Sequence, residues 1–180
     1  SVGVLVGSGI GGLSTIEAQI RSLVNKGPNR VAPLTIPMSI SNIASGAIAI
    51  KFGLLGSSFS ITSACASSTH CIGEAYRNIK DGYSDIIFAG GSEASICEFG
   101  ISSFQSLTAL SKSEDRNRAS IPFDLNRNGF VMGEGAGVLI LEDLESALKR
   151  GAKIYCEIVG YGTTSDAYHI TSPCPDGNGA

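Results

Sequence analysis

The chain has 180 residues, 43% of them hydrophobic and 16% charged, with a formal net charge of -3. Charge this far below the roughly 25% of average domains excludes a disordered chain, and the absence of a Lys/Arg cluster excludes a nucleic-acid binder that works by net charge. The 23 glycines follow no three-residue period and accompany only 6 prolines, which excludes a collagen-like chain.

In chain order, Val2–Val6 is a short apolar run ending at Gly7, the pattern of a buried strand. Leu13–Val24 repeats apolar residues at helical spacing and stops before Gly27-Pro28. Val31–Ser41 holds two prolines and reads as a long connection, Ile43–Phe52 as a helix ended by Gly53, and Phe59–Ala64 as a strand. Ala66–Lys80 is helical with Ile72, Ala75, Tyr76 and Ile79 on one face and Gly82 as its stop. Asp85–Ala89 reads as a buried strand closed by Gly90-Gly91, and Leu107–Phe123 as a loop. Val138–Leu141 reads as strand, Leu144–Arg150 as helix and Ile154–Val159 as a further buried strand. The alternation predicts a layered α/β fold around a largely buried sheet.

No apolar stretch reaches the roughly 18 residues of a membrane span, and Ser1 leads into a strand with no basic n-region. The five cysteines (Cys65, Cys71, Cys97, Cys156, Cys174) form no CxxC pair, so we expect free thiols in a reducing cytoplasm and neither a zinc site nor a disulfide framework. The missing initiator Met and the Gly/Pro/Ser/Asp-rich tail Thr163–Ala180 suggest an internal piece of a longer chain.

Three motifs carry chemistry, each beside a plainer reading. Gly7-Ser8-Gly9-Ile10-Gly11-Gly12 matches GxGxxG between a strand and a helix, but Lys26–Ser41 lacks the acidic residue that holds a ribose, which favours a tight strand–helix turn over a nucleotide site. Asp124-Leu125-Asn126-Arg127-Asn128-Gly129 opens like a calcium loop, but Gly135 stands where a bidentate Glu is needed, which favours an Asn/Gly turn. Ser63-Ala64-Cys65-Ala66-Ser67 puts a thiol where a strand meets a helix N-terminus, where orphan N–H groups favour a thiolate. Cys65 therefore reads either as a nucleophile or as a small core residue. As partners in base catalysis, His70 sits about 140° around the helix from Cys65 and is expected to point elsewhere, while His169 lies in the tail.

Taken together, Ser63–Ser67, Ala89-Gly90-Gly91-Ser92-Glu93-Ala94, Pro122-Phe123-Asp124, Asn128–Gly137, Arg150–Tyr155 and Ser165–Pro173 resemble the condensing enzymes, in particular the β-ketoacyl-[acyl-carrier-protein] synthase II group. The resemblance implies a thiolase-like α-β-α-β-α layered fold, of which 1–151 would form most of the N-terminal half and 152–180 the start of the C-terminal half. It implies fatty acid elongation by decarboxylative condensation of malonyl-carrier protein with an acyl group held as a thioester on Cys65, whose own N–H would supply part of an oxyanion hole. The family's two catalytic histidines would lie beyond Ala180, and His169 would match a different histidine near the pantetheine channel. Ile10 and Phe104 would border the acyl pocket, Phe130 would wall the sulfur, and Thr171 would hydrogen-bond the pantetheine arm. Arg30 would meet the acidic acyl carrier protein, on a patch thinned by Asn29 and Thr108 where relatives are basic. No metal and no cofactor of its own is implied, since 4'-phosphopantetheine arrives on the carrier protein. A homodimer in the cytoplasm is expected, with no membrane or nucleic-acid partner. A polyketide ketosynthase and a non-catalytic chain-length partner subunit are the alternatives, the second disfavoured by the presence of Cys65.

Overall fold

In the computed structural model, which describes residues 1–180, the first apolar run forms β1 (Val2–Gly7). It lies between β2 (Ser58–Phe59) and β3 (Ile86–Glu93), parallel to both. β4 (Gly135–Glu142) pairs antiparallel to β3 and completes the order β2-β1-β3-β4. Helices α1 (Leu13–Lys26), α2 (Thr35–Ser39) and α3 (Ile43–Phe52) connect β1 to β2, and α4 (Ser67–Lys80) crosses from β2 to β3. α5 (Glu98–Ser106) follows β3 and α6 (Leu144–Lys149) follows β4.

Strand alternation assigns the two faces of the sheet. Leu5, Ile87 and Ala89 point toward α4, where they pack with Cys71 and Ala75 in a fully buried cluster. Val4, Val6 and Phe88 point the other way, and Phe52 at the end of α3 stacks on Phe88 with ring centroids 6.0 Å apart. A helix–sheet–helix sandwich results. β4 is exposed along most of its length, Val138, Leu139 and Ile140 included, so the expected burial of the sheet holds for β1 and β3 but not for β4.

Ser45, buried on α3, inserts its hydroxyl where the β1–β2 ladder opens. Its Oγ accepts the Val6 N–H at 2.9 Å and donates to the Phe59 carbonyl at 2.8 Å. A further ladder rung would pair those two groups with each other, so β2 stops at Phe59 and the strand expected to reach Ala64 has two residues.

Other expectations are corrected for similar reasons. Gly90-Gly91 do not close β3, which continues to Glu93. A Cβ on Gly90 would collide with the Gly137 carbonyl of β4, and one on Gly91 with the Ser68 hydroxyl of α4, so both glycines permit close approach within the strand. The connection Val31–Ser41 contains α2, with Pro37 tolerated in its first turn. α5 was not expected, because Gly100 and several serines make a weak helix by propensity; its Gly100 packs against the Ser95 carbonyl and the Leu13 side chain. Ile154–Val159 forms no strand, since an apolar run without a ladder partner has nothing to pair its backbone, and Cys156 is consequently exposed.

Removing the Ser45 hydroxyl leaves the buried Val6 N–H and the Phe59 carbonyl without their partner. Ser45→Ala is expected to cost about 1–3 kcal/mol of stability, read as a lower urea midpoint at unchanged slope. Unfolding at the wild-type midpoint would mean that the ladder closes without the hydroxyl.

Candidate active site

Three segments converge where β1 and β3 end: Ser8–Gly12, Ser92–Ala94 and Thr62–Ala66. The C-terminal ends of parallel strands are the usual place for a site in an open α/β sheet. α4 begins here, seated directly on the strand backbones. A Cβ on Gly7 would press on the Ile61 carbonyl at 2.9 Å, the Ser67 carbonyl at 3.0 Å and Cys71 Sγ at 3.1 Å, while Ser68 occupies the space over Gly91.

The residues before α4 form a strained turn. Ala64 has φ 50°, in the left-handed region that costs a side-chain-bearing residue about 1–2 kcal/mol. Ser67, itself buried, holds the turn: its Oγ accepts the Ser63 N–H at 2.9 Å and donates to the Ala64 carbonyl at 2.7 Å. The Ala66 and Ser67 N–H groups donate to the Ser63 and Ala64 carbonyls. Cys65 is exposed, one residue before the Ala66 cap of α4. The backbone N–H groups of Cys65, Ser68 and Thr69 make no hydrogen bond within the chain, and so remain available as donors at the turn and the start of α4. His70 meets the turn at Ser63 and not at Cys65. It is half-buried and its Nδ1 lies 2.6 Å from Ser63 Oγ.

Glu93 organises the glycine loop. Its carboxylate accepts from Ser8 Oγ at 2.9 Å, from the Gly9 N–H at 2.8 Å and from the Ile10 N–H at 3.2 Å. The Gly11 N–H donates to Ser8 Oγ, and the Gly12 N–H to the Ser39 carbonyl. The donors that would cradle a phosphate are thus occupied, several of them by a negative charge, and Gly7–Gly12 is a pinned turn. Asp124 is likewise engaged: it accepts the Asn126 N–H and pairs with Arg118, which together hold its carboxyl below the ordinary range. That arrangement is a turn.

The remaining candidates fall in two groups. Ile10 is brought to the turn that carries Cys65. A Cβ on its neighbour Gly9 would meet the Ala64 carbonyl at 3.2 Å, and Thr62 Oγ1 donates to the Ser8 carbonyl at 3.1 Å. An open cavity of about 490 Å³ adjoins this loop between Ser8, Thr15, Met38, Ile43, Glu93 and Glu134. Phe104 and Phe130 pack edge to face with centroids 5.3 Å apart, and the Phe130 N–H donates to the Ala109 carbonyl at 3.0 Å. Thr171 is exposed in the tail, where His169 Nδ1 accepts the N–H groups of Thr171 and Ser172. The hydrogen bonds of His169 Nδ1 stay within its own loop. Arg30 is exposed at the end of a 3-10 turn and forms no ion pair. Sequence reasoning missed the roles of Ser67 and Glu93 as braces; Glu93 stands two residues after the Gly90-Gly91 pair, which was the available signal.

A family model for the N-terminal domain of beta-ketoacyl synthases matches residues 1–147. The chain belongs to the beta-ketoacyl synthase family. It is 53% identical over 180 residues to 3-oxoacyl-[acyl-carrier-protein] synthase 2 of Synechocystis, covering 99% of this chain and 43% of that protein. It is 49% identical over 178 residues to the Staphylococcus aureus protein of the same name, covering 99% of this chain and 44% of that one. The chain therefore spans less than half the length of these curated relatives. Among solved structures it resembles a type II polyketide ketosynthase in complex with its acyl-carrier protein, with TM-score 0.91 at 36% identity, covering 99% of this chain and 45% of that one. A beta-ketoacyl synthase from Burkholderia phymatum matches with TM-score 0.84 at 33% identity, covering 97% of this chain and 43% of that one. The thiolase-like fold of these ketosynthases is the fold of this chain.

The five thiols of the chain differ in environment. Burial pushes the Cys71 thiol up. Cys97 is also pushed up, chiefly by its hydrogen bond to the Glu17 carboxylate. Cys174 is half-buried and its N–H donates to Asp166. Cys65 and Cys156 remain as the exposed pair, and only Cys65 adjoins free helix N–H donors. With substoichiometric iodoacetamide near neutral pH, Cys65 is expected to alkylate several-fold faster than Cys156, with Cys71 and Cys97 last. Peptide mapping that finds Cys156 or Cys97 labelled first would contradict this ranking.

Proposed function

We propose that the chain carries the nucleophile of a β-ketoacyl-[acyl-carrier-protein] synthase of fatty acid elongation, an acyltransferase. The observation that carries the reading is an exposed thiol, Cys65, presented on a strained and fully braced turn beside unpaired N–H donors. In the first half-reaction the Cys65 thiolate attacks the thioester carbonyl of an acyl carrier protein. Collapse of the tetrahedral adduct releases the pantetheine thiolate and leaves the acyl group on sulfur. In the second, malonyl-carrier protein loses CO2, its α-carbanion attacks that thioester, and the Cys65 sulfur departs to give a 3-oxoacyl product two carbons longer. The Cys65 N–H serves as one oxyanion donor. The family's two catalytic histidines are assigned to residues after Ala180.

The other assignments are of the same standing. Ile10 and Phe104 border the acyl pocket, Phe130 forms the apolar wall beside the sulfur, and Thr171 contacts the pantetheine arm. Arg30, free of any ion pair, suits contact with an acidic carrier protein, and a solved relative is a ketosynthase bound to such a carrier. The chain needs no cofactor of its own, because the phosphopantetheine comes with the carrier. Residues 1–151 would form most of the first thiolase-like half and 152–180 the start of the second, in a cytoplasmic homodimer. The exposed apolar side chains of Leu34, Ile36, Met38 and Ile40 suit a subunit interface. A polyketide ketosynthase is the second reading, on the strength of that same structural relative, but the higher identity to the fatty-acid synthases favours elongation.

The full-length protein, given acyl- and malonyl-carrier protein, is expected to release 3-oxoacyl-carrier protein after a single condensation. Cys65→Ser should lower the rate by roughly 1000-fold or more. Undiminished condensation in that variant would overturn the assignment, and repeated condensation without intervening reduction would favour the polyketide reading.

A further inference from the structure

We propose that His70 is a positioning residue for Cys65, acting through the hydroxyl of Ser63; the inference rests on the reading of Cys65 as the nucleophile. Ser67 and His70 lie three residues apart on α4 and so share a face. Between them they grip the turn twice. Ser67 binds the Ser63 N–H and the Ala64 carbonyl, and His70 Nδ1 lies 2.6 Å from Ser63 Oγ. The imidazole has little freedom to turn away. The Tyr161 ring stands edge-on to it, with centroids 6.4 Å apart. Tyr161 is in turn seated against Gly73, where any Cβ would strike its ring, and lies under the Arg77 guanidinium at 4.7 Å. The residue held this way directly precedes Ala64, whose φ of 50° is the strained element of the turn. Without the Ser63–His70 hydrogen bond that turn has one brace instead of two. Relaxation of Ala64 toward ordinary backbone would then swing the following sulfur away from the Cys65, Ser68 and Thr69 N–H donors. Displacement of a reacting group by about 1 Å can cost on the order of 100-fold in rate, so one lost brace has a measurable effect.

The test measures the rate of acyl transfer from acyl-carrier protein to Cys65 in the full-length enzyme, together with KM and thermal midpoint. His70→Ala and Ser63→Ala are each expected to slow acylation about tenfold, equivalent to about 1.4 kcal/mol, at unchanged KM. The double variant should lose no more than either single one, because both remove the same bond. His70→Asn, whose Oδ1 stands in for Nδ1, should recover most of the rate. A Ser63→Ala enzyme that acylates within about twofold of wild type, losses that multiply in the double variant, or no recovery in His70→Asn would each overturn the proposal. Ser63→Ala keeps the test decisive if His70→Ala does not fold. An acyl-enzyme that still forms in Cys65→Ser refutes the nucleophile reading itself, whereas normal acylation of Cys65 in Ser63→Ala removes only the role given to His70.

Discussion

The close seating of α4 on the glycine ends of β1 and β3 is the constraint on which the rest depends. Side chains at Gly7 or Gly91 would force the helix off the sheet, since its first turn lies against the strand backbones with Ser68 over Gly91 and Cys71 over Gly7. That contact fixes the height of the helix N-terminus, buries Ser67 and Cys71, and leaves the chain only a sharp turn by which to reach the helix from the edge strand. The left-handed backbone of Ala64 follows from this geometry. Its strain is offset by the hydrogen bonds of Ser67 and His70, and the exposed thiol of Cys65 is what the turn presents.

Two short polar side chains do the work that regular ladder bonding would do elsewhere. Ser45 ends the β1–β2 ladder by taking the Val6 N–H and the Phe59 carbonyl, which frees the chain after Phe59 to bend toward α4. Glu93 satisfies the donors after β1 and ties that loop to the end of β3, so that Ile10 stands beside the Cys65 turn. A half-buried carboxylate held by two N–H groups and a hydroxyl is electrostatically favourable, and its presence makes the loop hostile to a phosphate. The same residues thus border the open cavity beside the loop and occupy the donors that a phosphate would need.

Much of the fold was legible in the sequence because it depends on periodic burial. β1, α1, α3 and α4 form where the apolar spacing places them, although only β1 and α4 bury residues of that pattern deeply while Ile20, Val24 and Ile50 stay exposed, and Gly53 and Gly82 end their helices with positive φ as their positions foretold. What was illegible depends on pairing. The length of β2 is set by a hydroxyl from another helix, the course of β3 through two glycines by the approach of β4 and α4, and the lack of a strand at 154–159 by the lack of a partner. The candidate site was legible in its nucleophile, since the small residues around Cys65 and the helix after it are local features. Its braces were not. Helical angle alone sent His70 away from Cys65, and the turn at Ala64, invisible in sequence, brought Ser63 back to it.

On the proposed function, this packing makes Cys65 the acyl acceptor. The most direct measurement is to expose the full-length enzyme to an acyl thioester alone, without malonyl donor, quench in acid, and map the acyl mass by peptide sequencing. One acyl group per chain is expected, on the peptide bearing Cys65, with Cys156 unmodified although both thiols are exposed. An acyl group on Cys156 or any other side chain, or none retained at all, would contradict it.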